Sequence, residues 1–153
     1  MSRNPTHPHQ YELFDGAAKK LDLATVPVVA AAPSDLEQAF QTMKRENCDA
    51  LFVLADVTRP EIVSLAAQSA IPAIYQSSAY VDLGGLASYA ADLKPVFRRA
   101  AHYIDKIFKG VDPAEIPVEQ PVTFELALNL KTAAALGLTF SDRLIARADK
   151  VIE

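Results

Sequence analysis

The chain is poor in the residues on which most protein chemistry depends. It has one cysteine, Cys48, which excludes an internal disulfide and a cysteine-based zinc cluster. None of its five glycines falls in a G-x-G-x-x-G or Walker A arrangement, so nucleotide phosphates have no cradle. There is no G-x-S-x-G elbow and no H-E-x-x-H pair. No nucleophile–base pair is suggested, and the reading is a binder without catalytic residues, cofactor or metal. No apolar run approaches the roughly 20 residues that cross a bilayer. The opening Met1-Ser2-Arg3-Asn4-Pro5-Thr6-His7-Pro8-His9 lacks the apolar core of a signal peptide. If Met1 is the true start, the expected location is the cytoplasm. A basic stripe with interleaved aromatics is also missing, and the net charge is -4, so a nucleic-acid partner is not expected.

What is present describes one α/β domain. Half of the residues are hydrophobic and 22% are charged, a globular balance. A chain of 153 residues buries roughly 70% of its unfolded surface, enough for a real core. Helical and extended patterns alternate, as in a Rossmann-like lobe with a mainly parallel sheet. Leu13, Phe14, Ala17, Ala18 and Leu21 share one helical face. Thr25-Val26-Pro27-Val28-Val29 reads as a short strand. Ser34 with Glu37 forms a capping box ahead of a helix carrying Leu36, Ala39, Phe40 and Met43. Ala50-Leu51-Phe52-Val53-Leu54 is apolar throughout, as in a strand covered on both faces.

The scheme then repeats. Thr58 and Glu61 make a second candidate capping box, with Pro60 in the first turn. Ile71-Pro72-Ala73-Ile74-Tyr75 is the next strand, Gly84-Gly85 a break, and Leu86-Ala87-Ser88-Tyr89 a brief strand. A long helix runs from about Asp92 to Lys109 and stops at Gly110; Val96, Phe97, Ala100, Ile104, Ile107 and Phe108 lie on its apolar face. After a Pro-bearing linker, Val122, Phe124, Leu126, Leu128 and Leu130 alternate with more polar residues, the pattern of a half-buried strand. A short helix to Leu136 and an amphipathic segment to Glu153 close the chain.

Polar residues that directly follow apolar strands are the site candidates, because open α/β sheets bind ligands at the carboxyl ends of their strands. Asp56 follows Leu54-Ala55, and two readings stand for it: a carboxylate receiving an amine from a small ligand, or a cap for the next helix. Thr58 is the better-placed cap. Gln76, Ser77 and Ser78 follow the Tyr75 strand in the same way. His7 and His9 read as solvated loop histidines, His102 as a surface or rim residue, and Cys48 as a buried, inert thiol.

From Gly84 onward the residues match a known pattern. The stretches are Gly84-Gly85-Leu86-Ala87-Ser88-Tyr89-Ala90-Ala91-Asp92-Leu93, Arg98-Arg99-Ala100-Ala101, Tyr103 through Gly110, and Ile116-Pro117-Val118-Glu119-Gln120-Pro121. Phe124-Glu125-Leu126, Asn129 through Ala133 and Ala135-Leu136-Gly137-Leu138 continue it. Weaker matches upstream are Asn4-Pro5, Ala55-Asp56 and Ile71-Pro72-Ala73-Ile74. Together these resemble the ABC-transporter substrate-binding proteins of tryptophan/tyrosine type, with the type I periplasmic-binding fold, in their second half only. In that family two α/β lobes close on a small ligand.

The resemblance implies one domain over residues 1–153 equivalent to the second lobe, with residues 84–117 as the hinge-crossing segment. The Leu86 strand and the Asp92 helix would return to the first lobe and the Val122 strand would come back. It implies ligand contacts at Asn4, Thr6, Asp56, Thr58, Tyr75, Gln76, Ser77, Ser88 and Tyr89. It also implies an importer for a small organic solute such as an amino acid, a periplasmic location, and an ABC permease as partner. Ala90 stands where the family usually has glycine. The first lobe, and the strand expected before Asn4, have no counterpart in these residues. A half cleft loses the other lobe's donors, and the long helix would expose its apolar face. Homo-oligomerisation through that face is the expected remedy. The alternative is a cytoplasmic orphan lobe that senses a metabolite or dimerises without a transport role.

Overall fold

The computed structural model describes residues 4–153. Helix α1 (His7–Lys19) starts with Pro8 in its first turn, where a missing N–H costs nothing. A 3-10 turn at Pro33–Asp35 leads into α2 (Leu36–Arg45), which buries Leu36, Ala39, Phe40 and Met43 as their spacing predicts. Strand β1 (Leu51–Val53), α3 (Pro60–Gln68) and β2 (Ala73–Tyr75) alternate strand and helix, followed by a short α4 (Ser78–Asp82). Then come β3 (Ala87–Ala91), the long α5 (Leu93–Phe108), β4 (Phe124–Asn129), α6 (Leu130–Ala135), α7 (Asp142–Ile145) and β5 (Lys150–Ile152).

The sheet has the order β1-β2-β3-β4-β5. Three of its pairings are parallel and β3–β4 is antiparallel, which makes it the mainly parallel sheet expected. One core lies where Phe40, Met43, Val63 and Ile71 meet Tyr75 and Tyr80. A second packs Leu86, Ala87, Leu128 and Ala133. Asn129 ties it together: its carboxamide oxygen accepts from Thr132 N–H at 3.0 Å, and the Thr132 hydroxyl donates to Gly84 C=O at 2.8 Å.

Several local expectations are corrected. Thr25–Val29 is not one of the sheet's strands. Neither capping box forms as read. Asp35, not Ser34, holds the turn before α2, accepting from Ala32 N–H at 2.8 Å. The N-cap of α3 is Arg59, with no side-chain cap from Thr58. β1 is half-buried and not covered all round, because it is the sheet's edge. In β4 burial rises along the strand instead of alternating: Phe124 is exposed, while Ala127, Leu128 and Asn129 are all buried. The cause is that β3 and β4 begin their pairing inside the sheet, beside β2 and β5, and continue past it toward α5. The Leu86 strand therefore belongs half to this sheet, through Ile74↔Ala87 and Tyr75↔Ser88, and only its far half projects. The closing amphipathic segment ends as β5, parallel to β4.

The long helix is the other departure from a closed globule. Asp92 caps it, accepting from Lys94 N–H at 2.9 Å, and Gly110 ends it with φ of 91°. Not one of its residues is buried. Phe97 is 71% exposed and Phe108 85%.

Candidate functional site

The carboxyl ends of β1 and β2 gather most of the polar residues singled out from sequence. At β1 the chain beyond Val53 turns at Ala55, whose carbonyl is met by two side chains from the start of the chain. The Asn4 carboxamide approaches it at 3.5 Å and the His7 ring Nε2 at 3.0 Å. The Asn4 oxygen in turn accepts from the Thr6 N–H at 3.0 Å and the Thr6 hydroxyl at 2.7 Å. His7 is thus buried, at 3% exposure, inside the first turn of α1, and His9 lies in that helix on its exposed side. The reading of both as loop histidines is corrected: Asn4 turns the chain sharply enough for the helix to begin at once.

Asp56 follows Ala55. One carboxylate oxygen accepts from Val57 N–H at 2.8 Å, and the other lies 3.9 Å from the Arg59 guanidinium. It is no cap of α3. The two side chains are about equally screened, 21% and 20% exposed. Arg59 is anchored from behind, donating to Ala30 C=O at 3.1 Å, while its own N–H donates to the Tyr80 hydroxyl at 3.1 Å. Arg59 was not singled out from sequence. Its signal was a charged residue directly before Pro60, which the capping-box reading obscured.

At the end of β2, Gln76 is half-buried. The Ser77 hydroxyl accepts from Ala79 N–H at 3.3 Å and caps α4. The Ser78 hydroxyl donates to the Glu125 carboxylate at 2.9 Å, which links the β2 end to the start of β4. Glu125 also escaped the sequence reading, since in an alternating strand it counts only as a polar outward position.

Three candidates lie elsewhere. The Tyr75 ring is 1% exposed and stacks on Tyr80 at 4.5 Å between centroids; burial pushes its phenol up to about 12. It is a core residue. Ser88 is also 1% exposed, registered between Tyr75 and Ala127. Tyr89 is 58% exposed on the projecting part of β3 and stacks on Phe124 at 5.5 Å. Thr58 is half-buried beside Arg59. Burial raises the Cys48 thiol, in keeping with an inert cysteine. Among the described residues no group of histidine, cysteine and carboxylate side chains could hold a metal ion.

The family model for ABC transporter substrate binding proteins matches residues 3–152. The chain belongs to that family. Two solved structures carry the same fold across nearly the whole chain. One is a conserved domain protein from Vibrio cholerae O1 biovar El Tor, 25% identical with a TM-score of 0.88, covering 98% of this chain and 53% of its own. The other is the ABC domain in complex with L-Trp from Streptococcus pneumonia, 28% identical with a TM-score of 0.87, covering 95% of this chain and 50% of its own. The ligand-free, open structure of a substrate-binding protein with adhesive properties from Clostridium difficile shares the fold at 18% identity and a TM-score of 0.70, covering 99% of this chain and 52% of its own. The chain therefore spans about half the length of these substrate-binding proteins. A search of the curated proteins finds no match.

Proposed function

We propose that this chain is the solute-gripping lobe of a substrate-binding protein that serves an ABC importer of a small organic solute, an amino acid in the first instance. The observation that carries the reading is the end of β1, where Asn4, bonded to Thr6, approaches Ala55 C=O next to the Asp56–Arg59 pair, with Gln76, Ser77, Ser78 and Glu125 at the neighbouring strand end. A carboxylate and a guanidinium side by side suit a zwitterion, the carboxylate taking an ammonium group and the guanidinium a carboxylate. The L-Trp bound to the Streptococcus relative supports the same class of ligand. Such a lobe binds and releases without altering its ligand. The other wall of the cleft comes from a complementary lobe, and the exposed face of α5 is the surface that meets it or meets a second copy of this chain. Docking to a permease and a working place outside the cytoplasmic membrane belong to this reading.

The uncovered α5 face favours a second reading, a self-associating lobe that senses a metabolite without a transport role. Native mass spectrometry of the purified protein separates them by mass, copy number and any carried ligand.

The direct test is calorimetry with a panel of amino acids on the wild-type chain and on Asp56→Ala. At least one amino acid should bind. The substitution should weaken it by about 1.5–3 kcal/mol, the worth of a hydrogen bond to a charged group. Folding should change by no more than about 0.5–1 kcal/mol, as at surface sites. No heat from any amino acid, or a large loss of stability with binding intact, would sink the site assignment.

A further inference from the structure

The carboxyl ends of β1 and β2 leave the sheet side by side. Val53 is registered with Tyr75, and Asp56 and Ser78 each stand three residues beyond that pair. The Ser78 hydroxyl lies 2.9 Å from the Glu125 carboxylate and so brings that carboxylate, from β4, to the β2 end. Two carboxylates, Asp56 and Glu125, thus stand at neighbouring strand ends. Strands lie about 4.8 Å apart, which puts the two groups roughly one to two strand spacings from each other, about 5–10 Å.

Their charge environments differ. Asp56 faces the Arg59 guanidinium at 3.9 Å, and Lys150 of β5 is held by Asp82. Among the described residues half-buried Glu125 has no ion pair. The Asp149 carboxylate, accepting from Leu126 N–H at 2.9 Å, adds negative charge beside it. The sheet face under Glu125 is also short of a partner. Ser88 pairs with Ala127 and Ala90 with Glu125, and alternate residues of a strand return to one face, so Ser88 and Glu125 are diagonal neighbours on the same face. The Ser88 hydroxyl is buried and, among the described residues, has no hydrogen-bond partner. An ammonium group has three protons to donate; Glu125 and the hydroxyls of Ser78 and Ser88 are three acceptors around one place.

Resting on the amino-acid reading of this corner, we propose that the solute is a diamino acid, with its α-ammonium and carboxylate at Asp56 and Arg59 and its side-chain ammonium at Glu125. A neutral zwitterion satisfies the Asp56–Arg59 pair and leaves Glu125 half-buried without a cation, an arrangement that a second ammonium relieves. Chain length follows from the spacing. The two nitrogens of lysine or ornithine reach about 6–7 Å apart by standard bond lengths, whereas those of 2,3-diaminopropionate stay within about 4 Å.

The test is calorimetry of the full chain and of Glu125→Gln with L-lysine, L-ornithine, L-2,3-diaminopropionate and uncharged L-norleucine. Glutamine keeps an acceptor for the Ser78 hydroxyl, so thermal melts of the two proteins should coincide. Lysine or ornithine should bind about tenfold or more tighter than norleucine and diaminopropionate, the worth of a hydrogen bond to a charged group. Glu125→Gln should remove that advantage and leave norleucine binding unchanged. Norleucine binding as tightly as lysine and ornithine would overturn this proposal while the amino-acid reading stands. So would lysine binding indifferent to Glu125→Gln, or an equal loss for lysine and norleucine, which would make Glu125 a structural anchor. Heat from no amino acid at all would overturn both.

Discussion

The two halves of strand pair β3–β4 live in different environments, and the contrast organises the molecule. Where Ala87 faces Leu128, both are buried, at 6% and 1% exposure, between β2, β5 and α6. Further along the pair, Tyr89 (two residues beyond Ala87) and Phe124 (four before Leu128) stack on each other in the open, and β3 leads into α5, whose apolar residues face solvent. The hydrogen-bonded ladder is continuous across the change. What differs is the third dimension: the first half is packed into the core, and the second is only partly covered. A ladder supplies geometry, but apolar cover supplies most of the stability.

Substitutions on the two sides should therefore differ sharply. The largest effect is expected at the covered end. Leu128→Ala empties space that nothing nearby can refill and should cost about 2–5 kcal/mol in urea denaturation. A loss below about 1 kcal/mol would mean that the covered half is as loose as the arm.

Gly85→Ala should come next. A Cβ there would lie 2.7 Å from the Tyr75 ring and 2.7 Å from the Tyr80 carbonyl, both in the packed core. Overpacking of this kind costs about 1–3 kcal/mol, readable as a drop in Tm without loss of secondary structure. Gly84, at the neighbouring position, instead supplies a φ of 99° and has only Val63 nearby, at 3.9 Å.

On the arm, the double change Phe97→Asp and Ile104→Asp should leave folding within about 0.5 kcal/mol, since neither side chain is buried. The same change should abolish any self-association seen by sedimentation of the wild-type chain. A substantial fall in stability of the monomer would break the comparison, because it would place α5 in the cooperative core.

The smallest effect belongs to the ion pair on the arm. Arg99 Nε donates to a Glu119 oxygen at 2.8 Å, and a second guanidinium nitrogen meets the other oxygen at 2.5 Å. The hydrogen bonds from Arg99 hold the Glu119 carboxyl below the usual carboxylate value. A depressed carboxylate stabilises the folded state above its unfolded pKa, and that contribution is lost as pH falls through the folded value. Both groups are exposed, so solvent screening leaves little of it. Acid melts of wild type and Glu119→Gln should differ slightly at neutral pH and converge below about pH 4. A large neutral-pH difference would make the pair a structural clamp for α5.

The sequence by itself determined most of the order of elements, the buried face of α2, the limits of α5 with Asp92 and Gly110 at its ends, and the placing of Asp56 and Ser77 after apolar strands. These follow from local spacing and from residues whose conformational preferences are strong. It misplaced the cover, reading Ala50–Leu54 as covered on both faces and the Val122 strand as half-buried, because Leu51-Phe52-Val53 and Leu126-Ala127-Leu128 are both largely apolar. Their neighbours, distant in sequence, make the first half-buried and the second buried. The site was legible only in part for the same reason. Asp56 was visible as a polar residue after a strand, but its pairing with Arg59, the burial of His7 under Asn4, the removal of Tyr75 into the core and the bond from Ser78 to Glu125 all join segments that only folding brings together. Spacing along a chain states which side of its own element a residue occupies; what lies across from it is decided by packing.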